Sequence, residues 1–213
     1  MLEQALRGKT LIMLVGPTAV GKSTIMNKVV ELDGEFGRVS GFTTRPKRPG
    51  DEAGLYRYLS HDEADELIQS ESVVQYALNP ANNQIYGTEL RDYPYAFNMK
   101  DTLSGAVEHF ISLPFSDYRI VSISVPVEPW LSWLDERHPV GSSERVTRLQ
   151  EAKQSIEWSL RQSDRHAWIV NNPGDVDAAA ASLIDSIRSP GENKPPQDAL
   201  DMLKAIDDLL SYE

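Results

Sequence analysis

Short apolar runs along this chain alternate with stretches in which apolar residues recur every three or four positions. The runs predict buried strands at Thr10–Val15, Arg119–Val125 and Trp168–Asn171, with a weaker candidate at Tyr95–Met99. The helical spacing predicts one helix from Lys22 onward and three more at Asp101–Ile111, Pro129–Arg137 and Glu144–Arg161. Strands that alternate with helices indicate an α/β domain with a mainly parallel sheet flanked by helices.

Two stretches depart from this alternation. Residues from about 40 to 94 are rich in turn residues and aromatics, with short strand candidates in "YRYLS" and "VVQYAL", and predict an inserted lobe of mixed α/β structure. A shorter irregular stretch, "HPVGSSE", separates two helices within about 136–148. We expect one main domain over 1–188, a Pro/Gly linker over 189–197 and a final amphipathic helix over 198–213.

The final helix is predicted to begin with Asp198 as N-cap and to place five apolar side chains on one face, at Leu200, Leu203, Ile206, Leu209 and Leu210. Such a face favours packing against the core of the same chain, with a contact between chains as the alternative.

Composition narrows the classes of partner. The chain has 213 residues, with 21 basic against 32 acidic residues and a net charge of −11, so a general affinity for nucleic acid or anionic membrane is not expected. There is no cysteine, which excludes disulfides, thiol catalysis and cysteine-based metal sites. No apolar stretch approaches the roughly 18–20 residues that span a bilayer. We therefore expect a cytoplasmic protein, with a homo-oligomer left open.

The string "GPTAVGKST" follows the first predicted strand and precedes the first long helix. It satisfies the pattern G-x-x-x-x-G-K-[ST], whose glycines turn backbone N–H groups and a helix N-terminus toward phosphate. The pattern predicts a nucleoside triphosphate as ligand, a lysine charge on its outer phosphates from Lys22 and a hydroxyl ligand for Mg²⁺ from Ser23. The predicted triphosphate-binding residues of the loop are Gly16, Pro17, Thr18, Ala19, Val20, Gly21, Lys22, Ser23 and Thr24.

A second string, "TTRPKRPG", places Arg45 and Arg48 three residues apart between prolines. Paired guanidinium groups suit the bidentate binding of a phosphate, and stiff flanking residues lower the cost of ordering them. Two solvated arginines are the alternative.

Five strings together, "GPTAVGKST", "TTRPKRPG", "GLYRYLS", "IYGT" and "WIVNN", resemble guanylate kinases in order and spacing over about Thr10–Ile187. The resemblance implies a P-loop core, an inserted lobe that binds a nucleoside monophosphate, a short lid, and phosphoryl transfer from ATP to GMP with Mg²⁺. The family's acceptor-phosphate residues fall on Arg45, Arg48, Tyr56 and Tyr86. On the donor side, the family's lid arginines fall on Arg137 and Arg148, and its adenine contact falls on Asn171.

The departures from the family pattern concern the acceptor base. The resemblance implies base contacts at Gly41, Gln75, Thr88, Asn98 and Lys100, but only Thr88 keeps a matching residue type. The family binds guanine with a carboxylate where this chain has Gln75, its serine is Gly41, and its D-x-D strand end is Asn98-Met99-Lys100, beside which Asp101 is a candidate substitute. The loop string "NPANNQIYG" is also longer than in the family.

Guanine presents two adjacent donors, which a carboxylate accepts together, whereas Gln75 offers one acceptor and one donor. One unpaired donor costs about 1–3 kcal/mol, so the acceptor base is left open between guanine and another base. The function predicted is an ATP-dependent nucleoside-monophosphate kinase. Two alternatives are a weakly active or inactive interaction module and a P-loop kinase for a non-nucleotide phosphate. Intact Lys22 and Ser23 disfavour the former, and "TTRPKRPG" disfavours the latter.

Overall fold

A computed structural model describes residues 2–48, 51–79, 82–191 and 194–212. Five pieces of the sequence interpretation lie outside these ranges: Met1 of the main domain, Pro49-Gly50 of the arginine string, Pro80-Ala81 of the loop before Tyr86, residues 192–193 of the linker, and Glu213. The strands are β1 (Thr10–Val15), β2 (Phe36–Arg38), β3 (Gly41–Thr43), β4 (Tyr56–Tyr58), β5 (Val73–Asn79), β6 (Gln84–Glu89), β7 (Phe97–Asp101), β8 (Asp117–Ser124) and β9 (His166–Val170). The helices are α1 (Leu2–Leu6), α2 (Lys22–Leu32), α3 (His61–Ile68), α4 (Val107–Ile111), α5 (Val127–Arg137), α6 (Arg145–Leu160), α7 (Val176–Arg188) and α8 (Gln197–Tyr212).

The larger sheet has five parallel strands in the order β2-β7-β1-β8-β9. Its two faces are both covered, because successive residues of β1 point into different apolar clusters: Ile12 packs with α2 and α7, and Met13 packs with α1 and α4. Burial on both faces explains why "TLIMLV" is apolar throughout rather than alternating. The α/β prediction with a parallel sheet flanked by helices is confirmed.

The second sheet has the order β4-β3-β6-β5 and lies in the segment predicted to have mixed structure. Strands β3 and β4 are parallel, whereas β6 is antiparallel to both β3 and β5. Helix α3 covers one face through a small core of Phe42, Ala64 and Ile85, and it begins with a capping box between Ser60 and Glu63. The opposite face of this sheet is therefore left for the side chains of the site.

The structure corrects two predicted helix starts. Asp101 ends β7, where Met13 and Leu14 of β1 pair with Lys100 and Asp101, so the helix predicted from Asp101 is confined to α4 after a 3₁₀ turn. Helix α8 begins at Gln197, which puts Asp198 in the first turn rather than at the N-cap.

On α8 itself, Ala199, Met202 and Ile206 are the fully buried side chains, while Leu200 is 43% exposed. Leu203, Leu209 and Leu210 pack at the margin of the core as expected. Among the described residues, no helix has both the length and the apolar character needed to cross a membrane.

Candidate active site

The glycine loop, Gly16–Thr24, joins the carboxyl end of β1 to the start of α2. Gly16 and Gly21 have positive φ angles of 152° and 86°. A Cβ on Gly16 would lie 2.9 Å from the carbonyl oxygen of Ile123, and one on Gly21 would lie 2.4 Å from the side-chain nitrogen of Asn171. Both positions of the sequence pattern therefore need glycine for conformation and for space.

Two buried side chains from distant parts of the chain hold this loop in place. The indole Nε1 of Trp130 donates to the carbonyl oxygen of Thr18 at 3.1 Å, and Nδ2 of Asn171 donates to that of Val20 at 3.0 Å. The sequence interpretation did not include Trp130, and its place on α5, 112 residues from Thr18, gave no local signal.

Lys22 folds back across the loop. Its Nζ donates to the carbonyl oxygens of Gly16 at 2.6 Å and Pro17 at 2.9 Å, and lies 3.7 Å from Oδ1 of Asp101. Burial lowers the pKa of Lys22, and the carboxylate of Asp101 opposes that shift. The ammonium is thus desolvated and only partly neutralised, an arrangement that favours an anionic ligand beside it.

The glycine loop forms one wall of a cavity of about 590 Å³, whose other walls are α6 and the segment after β7. Three cations line this cavity, at Lys22, Arg137 and Arg148, together with the carboxylates of Asp101 and Glu151. Arg148 Nη1 donates to Glu151 at 2.7 Å. The lysine and both lid arginines predicted from the sequence therefore lie around one space, which we call the donor cavity.

A neighbouring cavity of about 630 Å³ opens on the other side of the glycine loop and includes Trp133, Arg137 and Asn171 in its lining. Asn171 reaches this cavity, as its predicted contact with adenine requires, but its Nδ2 is committed to the loop carbonyl of Val20. Its side chain thus connects the wall of this cavity to the conformation of the loop.

The predicted acceptor-phosphate residues converge in part. The guanidinium of Arg45 lies 5.2 Å from the ring centroid of Tyr56, and the rings of Tyr56 and Tyr86 are 6.2 Å apart. Arg45 is only 7% exposed and makes a bidentate pair with Asp51, at 2.7 and 2.8 Å. Hydrogen bonds from Arg45 and from the backbone N–H of Arg48 hold the pKa of Asp51 well below its usual range.

Arg48 enters this cluster only through its backbone, because its side chain is exposed. Asp51 was missing from the predicted site, because the burial of Arg45 that selects it as a partner is visible only in the structure. It fixes the orientation of Arg45, and the hydroxyl of Tyr58 also donates to it at 2.8 Å.

A smaller cavity of about 250 Å³, the acceptor cavity, lies between α2, the end of β7 and Tyr56 of β4. Tyr56, Ser40 and Lys100 line its walls, and Ser23 and Asp101 line both this cavity and the donor cavity. The two spaces therefore meet at a hydroxyl and a carboxylate. Asp101 was considered from the sequence only as a substitute acid, and its position at a strand end was the available signal.

The predicted base contacts fall into two groups. Gln75 and Thr88 are neighbours on β5 and β6, with Nε2 of Gln75 3.4 Å from the hydroxyl of Thr88, which lies 2.9 Å from the hydroxyl of the buried Tyr93. Lys100 lies on the wall of the acceptor cavity. Tyr93 is an addition from the structure, and burial raises its pKa, so its hydroxyl stays protonated.

Asn98 and Gly41 do not take the predicted positions. The amide of Asn98 donates to the carbonyl oxygen of Tyr95 at 2.8 Å and accepts from its N–H at 3.3 Å, so Asn98 holds the turn before β7. A Cβ on Gly41 would lie 2.6 Å from the carbonyl oxygen of Gly87. The close approach of β3 and β6 therefore excludes a side chain at Gly41, and with it a side-chain contact to a base.

Known guanylate kinases resemble this chain in sequence. The family model described as Guanylate kinase matches residues 8–99. A guanylate kinase of Schizosaccharomyces pombe is 28% identical over 179 residues, which cover 81% of this chain and 87% of that protein. The chain thus resembles guanylate kinases over most of its length and matches their family model over residues 8–99.

Two further matches define the extent of the likeness. A guanylate kinase of Lactococcus lactis is 37% identical over 81 residues, or 38% of each chain. The crystal structure of a guanylate kinase from Anaplasma phagocytophilum shares the fold, with a TM-score of 0.51, 14% identity and coverage of 85% of this chain and 84% of that one. The family model covers the glycine loop and the residues around Arg45, whereas Arg137, Arg148 and Asn171 lie outside the matched residues.

Proposed function

We propose that this protein is a kinase that transfers the γ-phosphate of ATP to a nucleoside monophosphate. The observation that supports this most is the meeting of the donor and acceptor cavities at Ser23 and Asp101, with Lys22 on one side and Tyr56 on the other. A site that binds only ATP does not need a second cavity at the terminal phosphate. The names of the relatives, guanylate kinases, support the same reaction class and make GMP the reference acceptor.

In the proposed reaction an oxygen of the acceptor phosphate attacks the γ-phosphorus in line, and ADP leaves. Lys22 moves from the carbonyl oxygens of Gly16 and Pro17 to the donor phosphates, where it offsets developing charge. Arg148 and Arg137 lie across the cavity from the loop and approach the triphosphate when the segment between α5 and α6 closes. Phosphoryl transfer depends mostly on positioning and charge, so no strong general base is needed.

The acceptor is held from the other side. Arg45 and the hydroxyls of Tyr56 and Tyr86 form its phosphate clamp, and Arg48 joins them when ligand is present. Arg45 is already oriented by Asp51, so little side-chain entropy is lost when the phosphate binds.

Magnesium is the cofactor that this reaction class requires, and the residues present suit it. Among the described residues there is no group of three or more acidic or histidine side chains able to hold a metal ion. Mg²⁺ is commonly bound by one or two protein oxygens together with substrate phosphates and water. The hydroxyl of Ser23 and the carboxylate of Asp101, which line the same space, supply that number of ligands. When bound, the ion neutralises phosphate charge in the transition state.

Release of ADP tests the proposal directly. Ribo- and deoxyribonucleoside monophosphates are each incubated with ATP and Mg²⁺, and ADP is measured alongside the diphosphate product. Acceptor-dependent formation of both products in equal amounts is expected. ATP that binds without transfer to any monophosphate would refute the kinase and leave a binding module.

A further inference from the structure

The guanidinium of Arg45 has two edges that can each donate a pair of parallel hydrogen bonds, and only one of them is in use. Nη1 and Nη2 donate to the two carboxylate oxygens of Asp51 at 2.7 and 2.8 Å, and Nη1 also donates to the carbonyl oxygen of Pro46 at 3.0 Å. Within the described ranges, the N–H of Nε and the second N–H of Nη2 have no hydrogen-bond partner. These two parallel donors form the edge that Asp51 does not occupy.

The unoccupied edge is open to a ligand. Arg45 is only 7% exposed, yet its Nε is absent from the fully buried nitrogens that lack a partner, among which is Nε of Arg57. Solvent therefore reaches Nε of Arg45. Burial raises the pKa of Tyr56, the nearby Arg45 cation opposes that shift, and the carboxylate of Asp101 adds to it. The phenol of Tyr56, which lines the acceptor cavity, is thus close to both charges.

Asp51 is held by more than its pair with Arg45. Its Oδ2 also accepts from the backbone N–H of Arg48 at 2.7 Å and from the hydroxyl of Tyr58 at 2.8 Å. A phosphate that replaced Asp51 would break four hydrogen bonds of a carboxylate whose side chain is 13% exposed. A phosphate that binds the other edge of Arg45 breaks none of them.

Resting on the kinase function proposed above, we propose that the Nε/Nη2 edge of Arg45 binds two oxygens of the acceptor phosphate, and that Asp51 is a positioning residue that stays on Arg45 during turnover. The phosphate of a nucleoside monophosphate has three terminal oxygens. Two of them on this edge leave the third for attack on the γ-phosphorus. Asp51 therefore sets the direction of the attacking oxygen through Arg45.

The alternative is that Asp51 occupies the place of the phosphate and is displaced by it, and the two roles predict opposite signs. In Asp51→Asn the guanidinium loses its fixed orientation, so we expect kcat/KM for the acceptor to fall about tenfold, with unchanged affinity for ATP. The acceptor is whichever of GMP, AMP, UMP and CMP is turned over fastest. A rise in kcat/KM would overturn the positioning role. Asp65→Asn, an exposed carboxylate of α3 in the same lobe, is the matched control.

A double variant tests whether Asp51 acts through Arg45. In the Arg45→Ala background there is no guanidinium to orient, so Asp51→Asn is expected to cause no further fall in kcat/KM. A further tenfold fall would contradict the assignment. Tyr58→Phe covers the case in which Asp51→Asn unfolds, because it keeps the ring and removes one of the four hydrogen bonds to Asp51. We expect a fall of about threefold in Tyr58→Phe, and a rise would again favour displacement.

Equilibrium binding separates this assignment from the kinase proposal. The four monophosphates are titrated into the full-length protein with a non-hydrolysable ATP analogue, by calorimetry and by ¹H–¹⁵N NMR of the arginine Nε–H groups. The resonance of Arg45 is identified by its absence in Arg45→Lys. We expect it to shift when a monophosphate binds, and Asp51→Asn to weaken that binding about tenfold.

Both results without phosphoryl transfer would refute the kinase and leave the assignment of Arg45 and Asp51 intact. Transfer together with an unmoved Nε–H resonance would overturn the assignment and leave the kinase. Binding of none of the four monophosphates would refute both.

Discussion

The donor and acceptor halves of this site are held in different ways. The donor half is a loop whose shape depends on its own glycines, on two buried donors from elsewhere and on Lys22 bonded to the loop's own carbonyl oxygens. The acceptor half is a network of paired charges, with Arg45 on Asp51 and Arg57 on both Asp92 and Glu89. The first is fixed by the backbone, and the second by side chains that neutralise one another.

This difference determines how each half responds to change. Loss of one donor to the glycine loop removes about 0.5–1.5 kcal/mol and leaves the remaining contacts intact. Removal of one member of a buried ion pair instead leaves its partner unpaired, which costs about 3–5 kcal/mol in well-buried cases. We therefore expect the acceptor half to tolerate fewer side-chain substitutions, and the donor half to lose most activity where a substitution removes charge.

Lys22→Ala is expected to have the largest effect, because it removes the charge that the donor half supplies at the transferred phosphate. A loss of about a hundredfold to a thousandfold in kcat follows from the removal of one such group. ADP release measures the rate, and circular dichroism measures the fold. Lys28→Ala, also on α2 but paired with Asp177 at its surface, serves as the control and should retain activity. Wild-type turnover by Lys22→Ala would contradict the assignment of the loop.

Arg45→Ala is expected to separate the two halves. It removes the buried cation of the acceptor clamp, so kcat/KM for the acceptor should fall about a hundredfold while the affinity for ATP stays unchanged. Acceptor titrations at saturating ATP and calorimetry with ATP alone provide the two measurements. Arg91→Ala tests an arginine of the same lobe that is 62% exposed, and little change is expected. An equal loss of ATP affinity in Arg45→Ala would mean that the two halves are not independent.

The sequence predicted the donor half better than the acceptor half, for a physical reason. The strand, loop and helix around Lys22 are consecutive, and their signals are local: an apolar run, two glycines and helical spacing. The contacts of Trp130 and Asn171 with the loop span 112 and 151 residues, and the sequence around either residue does not predict them.

In the acceptor half, residue types alone did not predict the secondary structure or the contacts of several residues, because these depend on strand pairing and on a turn. Asp101 belongs to β7 because β1 pairs with it, although its own sequence favours the helix that follows. Asn98 was assigned to the base from the resemblance, but the turn at Tyr95 uses its amide. Helix α7 escaped prediction even though Asp175 caps its first turn and Ala179, Leu183 and Ile187 mark its buried face.

Arg48→Ala is expected to have a smaller effect than Arg45→Ala. The side chain of Arg48 is exposed, and the residue contacts the cluster only through its backbone N–H. Its guanidinium therefore contributes only if the bound phosphate draws it in. We expect about a tenfold rise in KM for the acceptor, which weakens as ionic strength increases because exposed charges are screened. A loss as large as that of Arg45→Ala, and insensitive to salt, would place Arg48 in the rigid part of the clamp.

Asn171→Ala is expected to have the smallest effect, and it distinguishes two roles for one side chain. Loss of the bond to Val20 should weaken ATP binding about threefold to tenfold through the loop. If the loop is the cause, inorganic tripolyphosphate, which has no base, is weakened by the same factor. If Asn171 acts through a contact with adenine, the affinity for tripolyphosphate is unchanged while that for ATP falls. Calorimetry with both ligands measures the ratio, and Asn172→Ala, at the neighbouring exposed position of the same cavity wall, is the control. Equal weakening of both ligands would show that long-range hydrogen bonds to its backbone hold the donor half in shape. In the acceptor half, paired charges have that role.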